Sequence, residues 1–246
     1  MKPARLSKNY GISHQGRGWD YHRKFDDIPY RKMIWEYERR FIKAAIHDHL
    51  RSRRIIHLDF ACGTGRIISF LEKYATRSTG IDIASSMLDV ARTQVKTATL
   101  IHGDIHAIPT THGEKYNLIT AFRFFPNAEM SLRENVIGKL SEVLDDKGIL
   151  IFNNHRNRQS LTFMILRLLG RKYDASGLTH REIKAFLKKA NMKIKSTYHV
   201  GVFPMVESRT IMPVYLLDGF ENIATRIPLL RRFAANVIYV CQNDAE

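Results

Sequence analysis

The run HLDFACGTGR at residues 57–66 sets Asp59 just ahead of Gly63 and Gly65, at the end of a short apolar stretch. Glycines at such a place let the backbone turn tightly and approach a ligand with no Cβ in the way. Asp82, in GIDI, stands 17 residues past Gly65. A carboxylate there can accept hydrogen bonds from both hydroxyls of a ribose. Asp104, in HGDIHAIP, can accept from the amino group of an adenine. His155, in NNHRN, is placed where a general base could take a proton, although a structural role is the commoner fate of such a histidine. Each residue alone has a plain explanation, since Gly-x-Gly punctuates loops and Asp caps helices. In this order they describe a nucleoside site.

The elements that must position them follow from the spacing of apolar residues. Strands are predicted at 54–60, 78–83, 99–105, 116–122 and 148–154. Helices are predicted at 31–50, 66–74, 85–95 and 131–144, with Ser85 or Ser86 as the N-cap of the third. Strict alternation of strand and helix predicts an α/β fold with a parallel sheet covered on both faces. The carboxylates then fall at the carboxyl ends of successive strands, the edge where open α/β sheets bind ligands. A further helix at 178–192 opens on a Thr179-x-x-Glu182 capping box, and strands at 193–200 and 236–242 end the chain. Residues 1–30 read as an irregular arm. Residues 156–177, with the apolar helix SLTFMILRLLG, and 203–233 interrupt the alternation and read as insertions over the ligand-binding edge. The chain therefore divides into an arm and helix at 1–50 that cover the site and a main domain at 51–246.

Several classes are excluded or disfavoured. No G-x-G-x-x-G is present, because Ile68 stands where its third glycine belongs, and there is no GxxxxGK[ST] either. A dinucleotide site and a P-loop are disfavoured accordingly. Cys62 and Cys241 are far apart, which argues against a disulfide framework or a cysteine zinc site and for a reducing, cytoplasmic setting. No acidic cluster suits a metal, so metal-independent chemistry is expected. The longest apolar stretch, at 161–169, is interrupted by Arg167 and too short to cross a bilayer, and MKPARLSKNY lacks the apolar run of a secretory signal. The 246 residues carry a net charge of +15, distributed unevenly: +7 over 1–60, zero over 61–150 and +8 over 151–246. Solvated surface charge and an anionic partner met by both ends account for this equally well.

The motifs resemble those of class I S-adenosylmethionine-dependent methyltransferases. LDFACGTGR is similar to their first motif, GIDIASSML to the segment after the second strand, and HGDIHAIP to that after the third. YNLITAFRFFPNAE and LSEVLDDKGILIFNNH resemble the fourth-strand and fifth-strand segments, so that residues 54–155 are covered. The resemblance implies a Rossmann-like, seven-stranded, mostly parallel sheet with an antiparallel last strand. It implies that Asp59, Ala61, Cys62, Gly63, Thr64 and Gly65 surround the methionine part of the cofactor. By the same resemblance Asp82 holds the ribose, Ile83 and Met87 pack on the adenine, and Asp104 with Ile105 reads its edge. Ala121, Phe122 and Arg123 line the site near the methyl group, and Tyr21, Tyr30 and Arg31 belong to an arm that closes over the cofactor.

The acceptor is read as a hydroxyl, with an amine second, on a small and anionic molecule such as a nucleotide- or lipid-linked sugar. The overall layout is similar to methyltransferases of bacterial polysaccharide pathways. RNA is the alternative acceptor, supported by charge but by no RRM or KH signature. A third possibility is a non-catalytic or membrane-peripheral protein, because IATRIPLLRRFAANV is basic and apolar as surface-binding helices are. The favoured reading of that segment is a helix packed on the sheet.

Overall fold

The computed structural model of the chain describes residues 16, 18–51, 53–108, 115–170, 177–205 and 213–244. The run 1–10 and the stretches 171–176 and 206–212 of the two insertions lie outside the described residues. The alternation forms one seven-stranded sheet in the order β3-β2-β1-β4-β5-β7-β6. Strands β1 (Ile56–Phe60), β2 (Arg77–Asp82), β3 (Thr99–His102), β4 (Tyr116–Ala121) and β5 (Leu144–Asn154) are parallel. The last strand, β7 (Asn236–Asn243), runs antiparallel between β5 and β6 (Met192–Val200). Strand order reverses between β1 and β4, and a crevice opens beyond the carboxyl ends at such a switch point.

The sheet is buried on both faces, which is why its central strands read as near-continuous apolar runs. Successive residues of β5 serve opposite cores. Leu150 and Phe152 face one, in which Phe125 stacks on Phe186 and Phe152 stacks on Tyr239. Ile149 and Ile151 face the other, against Ile42, Ala45 and Leu50 of a long helix, α2 (Pro29–Leu50). The crossover helices α3 (Arg66–Leu71), α4 (Ser85–Gln94) and α5 (Met130–Val143) complete the layers, and α7 (His180–Lys189) begins at the expected capping box.

Three expectations need correction. Residues 18–27 are not irregular but form a helix, α1 (Gly18–Asp27), which lies on α4. Its polar sequence hides it, and its closest approach depends on a glycine: a Cβ on Gly18 would stand 2.0 Å from the Ser86 carbonyl oxygen. Neither Ser85 nor Ser86 caps α4. The N-cap is Ala84, and the Ser86 hydroxyl instead accepts from the Gly16 N–H at 3.0 Å. The third concerns the basic, apolar segment near the end. It forms the end of α8 (Val214–Ala224) and a short α9 (Pro228–Arg231), a single turn that packs partly buried Leu230 against the core but leaves Leu229 exposed. The apolar helix of the first insertion is α6 (Leu161–Leu168). Among the described residues no helix is long and apolar enough to cross a membrane.

One buried histidine ties β1 to both neighbours. His57 is fully buried, with Nδ1 3.2 Å from Ser78 Oγ and Nε2 2.9 Å from Thr120 Oγ1. The Thr120 hydroxyl donates to Asp59, so it must accept from an Nε2–H, and Ser78 donates to Nδ1. Burial pushes the His57 pKa down to about 3. The folded value lies below the unfolded one, so the unfolded chain takes up the proton first as pH falls. This site therefore removes stability below about pH 6.5, by about 1.4 kcal/mol per pH unit. His57→Gln should flatten the pH dependence of urea stability between pH 6.5 and 4 by that slope. An unaltered dependence would mean that His57 is protonated within the fold.

Candidate active site

The turn after β1 is built from left-handed backbone. Ala61, Gly63 and Gly65 have φ of +55°, +56° and +84°, a region that L side chains rarely adopt. At Gly65 a Cβ would also stand 3.1 Å from the Cα of Ala91 on α4, so glycine is required both for the turn and for helix packing. The turn is closed by Asp82 at the end of β2. Its Oδ2 accepts from the Gly63 N–H and its Oδ1 from the Ala84 N–H, both at 2.8 Å. These two bonds fix the carboxylate at the rim of the crevice and occupy two of its roughly four acceptor positions.

Asp59 is buried on β1, with Oδ1 accepting from Thr120 at 2.6 Å and Oδ2 without a hydrogen-bond partner. Burial pushes its pKa up to about 7, against the lowering effects of the Thr120 bond and the Arg66 charge. A buried carboxylate oxygen lacking a donor is costly unless something supplies one. Cys62 is also buried, which holds its thiol well above the usual range and leaves it unfit as a nucleophile. Thr64 is buried beside it.

The remaining expected contacts are arranged along the same edge. Ile83 is 42% exposed at the rim while Met87 is buried beneath it. Asp104 is exposed and caps a short 3₁₀ turn, accepting from the His106 N–H at 2.9 Å, and Ile105 is buried behind it. Ala121 and Phe122 are buried at the end of β4, and Arg123 follows with φ +61°, its N–H donating to Asn153 Oδ1 at 2.7 Å. Tyr21 packs 5.3 Å from Phe25 on α1, and the buried Tyr30 reaches toward Gly201.

Several residues of this region carry no motif in the sequence. Phe25 gathers three guanidinium groups: those of Arg31, Arg66 and Arg123 lie 5.1, 4.6 and 4.7 Å from its ring centre. Arg66 also sits 4.3 Å from the ring of Trp35 and pairs with the fully buried Glu38 at 2.7 Å. His155, just beyond β5, faces this cluster. Its Nδ1 is sealed from solvent without a hydrogen-bond partner. Burial first, then the charges of Arg123, Arg156, Arg31 and Arg66, hold its pKa well below the usual range. The imidazole is therefore neutral at pH 7. Glu38, Phe25 and Asn153 were missed because they meet only through the fold. Arg66 was visible as the last residue of the glycine turn but not as the partner of a buried glutamate.

The arrangement tests well for a nucleoside cofactor with a charged tail. The orphaned Asp59 Oδ2 calls for a donor or cation, the glycine turn leaves space, since a Cβ on Gly63 would meet nothing within 4 Å, and Asp82 offers its carboxylate at the rim. Asp82→Ala should weaken S-adenosylmethionine binding by about 1–3 kcal/mol, the usual cost of lost hydrogen bonds to a charged group. Unchanged calorimetric affinity would remove Asp82 from this role.

The comparisons with known proteins agree with this geometry. The family model described as "Methyltransferase domain" matches residues 58–148. The chain is 28% identical over 115 residues to the dTDP-3-amino-3,6-dideoxy-alpha-D-glucopyranose N,N-dimethyltransferase of Streptomyces fradiae, covering 47% of this chain and 38% of that protein. It is 34% identical over 96 residues to the demethylmenaquinone methyltransferase of Thermotoga maritima, covering 38% and 41%. The chain thus spans about two fifths of the length of these curated relatives. The crystal structure of magnesium protoporphyrin IX methyltransferase from Synechocystis PCC 6803 with bound SAH shares the fold with a TM-score of 0.65, at 15% identity, over 94% of this chain and 96% of that one. Glycine turn, switch-point carboxylates, matched segment and shared architecture converge: residues 58–148 match the methyltransferase-domain family, and the chain has the fold of S-adenosylmethionine-dependent methyltransferases.

Proposed function

We propose that the chain is an S-adenosylmethionine-dependent methyltransferase acting in the cytoplasm on a hydroxyl of a small anionic acceptor, such as a nucleotide- or lipid-linked sugar. The observation that carries the reading is the cradle at the switch point, where Asp82 braces the glycine turn and Asp59 keeps an unmatched oxygen. When bound, the cofactor supplies a methyl group on a sulfonium, which needs alignment and dryness more than activation. Asp59 holds a hydrogen-bond donor of its amino-acid end, Asp82 its ribose, and Asp104 its adenine. Ile83, Met87 and Ile105 exclude water around the base. The α1 helix and the start of α2 cover the site through Tyr21, Tyr30 and Arg31.

The anionic acceptor is supported by the guanidinium groups gathered round Phe25 and facing His155. Arginine suits phosphate because its planar fork can bind it bidentately. The Streptomyces fradiae relative is named for a nucleotide-linked amino sugar, which supports the sugar-nucleotide class and makes an amine the second choice of acceptor atom. The reading is tested by calorimetry with S-adenosylmethionine, followed by turnover on matched pairs of phosphorylated and unphosphorylated sugars. Absence of cofactor binding would overturn it, and equal turnover on both sugars would remove the anionic acceptor. Arg231 and Arg232 are exposed on the same edge. Charge reversal of both should lower kcat/KM on the phosphorylated sugar about tenfold, the loss of one charge-assisted contact. Cofactor affinity should not change, whereas equal loss of both would indicate misfolding.

A further inference from the structure

We propose that α6, α8 and α9 form a docking face for an anionic phospholipid surface. Apart from Trp19, Tyr74, Ile83 and Met130, every exposed large apolar side chain among the described residues lies on these helices or on Leu169 and Ile227 beside them. Leu168 is 88% exposed, Tyr215 73%, Ile223 64% and Leu229 62%. Contiguous apolar surface of this kind marks an interaction site rather than ordinary scatter.

The three helices make one surface. The Leu161 N–H at the start of α6 donates to the Phe233 carbonyl at 3.0 Å, and Arg231 Nε at the end of α9 donates to the Thr225 carbonyl beyond α8 at 2.7 Å. α8 is anchored from beneath. Its buried Glu221 accepts from the N–H groups of Gly201, Val202 and Phe203 at 2.9, 3.1 and 2.8 Å, while Leu217 packs inward. Its apolar residues on the far side are therefore held outward.

Charge selects the occupant. Arg167, Arg226, Arg231 and Arg232 are exposed among these apolar side chains. The two acids of the described part of this surface, Glu221 and Asp218, are buried and half-buried. A cleft of about 380 Å³ between α6 and the end of α9 is lined by Arg158, Gln159, Met164, Arg232 and Phe233. A protein interface concentrates its apolar residues at a core depleted of charge. Here arginines alternate with leucine, isoleucine and aromatic residues over short helices, the composition that lies in the headgroup region of a bilayer and is drawn to anionic lipids. The face hangs on the edge where β5 ends, β6 ends and β7 begins, opposite the pairs Asn154–Val237 and Val200–Asn236. The carboxyl ends of β1, β2 and β4 open on that same edge. Docking would bring the site to the lipid surface, which suits a lipid-linked acceptor if the proposed function holds, but the surface stands on its own observations.

The test is co-sedimentation of the full chain with vesicles of phosphatidylcholine, alone or mixed with phosphatidylglycerol, alongside calorimetry with S-adenosylmethionine. Binding should require phosphatidylglycerol and fall as salt is raised. The pair Leu168→Glu and Leu229→Glu should lower the partition at least about tenfold, given the value of burying two leucines. The pair Arg167→Glu and Arg226→Glu should do the same, given the pull of each arginine on an anionic surface. Both variants should keep wild-type cofactor affinity, which reports folding. Equal sedimentation with and without phosphatidylglycerol, or variants that sediment as wild type, would overturn the proposal. So would a dimer in solution that Leu168→Glu and Leu229→Glu dissociate, because a second copy would then cover the face. Failure of the wild-type chain to bind cofactor would count against the enzyme reading and leave the docking result standing.

Discussion

Glu38→Gln is expected to remove about 3–5 kcal/mol of stability, the cost of breaking a buried ion pair and leaving the other charge uncompensated. Glu38 is fully buried on α2, yet three other elements converge on it. Its Oε2 accepts from Arg66, at the start of α3, at 2.7 Å. Its Oε1 accepts from Asn153 on β5 at 3.1 Å and from Asn236 on β7 at 3.0 Å. Asn153 in turn holds the Arg123 N–H at 2.7 Å, where the backbone stands at φ +61°. Glutamine keeps the size and one carbonyl oxygen but not the charge. The Arg66 side chain, 16% exposed, then loses its partner while packed between Phe25 and Trp35. Urea denaturation should register the loss as a lower midpoint at constant slope. A second variant separates charge from shape. Arg66→Met combined with Glu38→Gln removes both charges and should recover part of the stability, because a buried pair replaced by apolar groups is often neutral. A double variant as unstable as the sum of the two single ones would mean that the pair has no coupling.

Glu38 also shows where sequence reading stops. Its helix was expected from apolar spacing, and position 38 falls on the stripe of Ile34, Tyr37, Phe41 and Ala45, but the residue type alone names no partner for a charge there. Only the placement of α2 against α3 and the ends of β5 and β7 supplies Arg66, Asn153 and Asn236. The strands, the glycine turn and the carboxylates at successive strand ends were legible because each rests on local chemistry: β-branched runs, positive φ and short polar caps. α1 was not legible because little in GWDYHRKFDD has a core to face. Its sequence instead supplies Gly18 for close approach to α4 and Phe25 for three arginines. Cation–π contacts among residues as far apart as Phe25 and Arg123 leave no spacing signature. The cap of α4 was misplaced for a similar reason. Asp82, two residues before Ala84, already bonds its N–H, and that bond depends on where the turn after β1 arrives. Basic and apolar residues near the end suggested a packed helix. The structure divides that segment, turning Ile223, Ile227 and Leu229 outward while Ala224, Leu230 and Ala234 pack against the core, because a single-turn helix such as α9 has only a narrow inward face.

His155→Asn is expected to lower kcat for a hydroxyl acceptor about 100-fold, the lower range for loss of a general base, with cofactor affinity unchanged. The base must be neutral before the reaction and charged after it. Burial and the charges of Arg123, Arg156, Arg31 and Arg66 secure the first condition by holding its pKa well below the usual range. The same arginines oppose the second, since an imidazolium would form beside guanidinium groups. The anionic acceptor proposed above would resolve the conflict. Its phosphate would screen the arginines from His155 and raise the pKa toward the working range, while the arginines would stabilise negative charge developing on the acceptor oxygen. Two pH profiles follow with definite signs. In kcat/KM, which reports the free enzyme, the rate should stay level as pH falls from 8 through 6.5 and decline only at the lowered pKa of His155. In kcat, which reports the loaded enzyme, the decline should begin at higher pH. The displacement should vanish with an unphosphorylated acceptor. If kcat survives His155→Asn while the phosphorylated acceptor is still methylated, the proton leaves by another route. His155 is then a structural residue, and an amine, which needs little more than deprotonation, becomes the acceptor to test first.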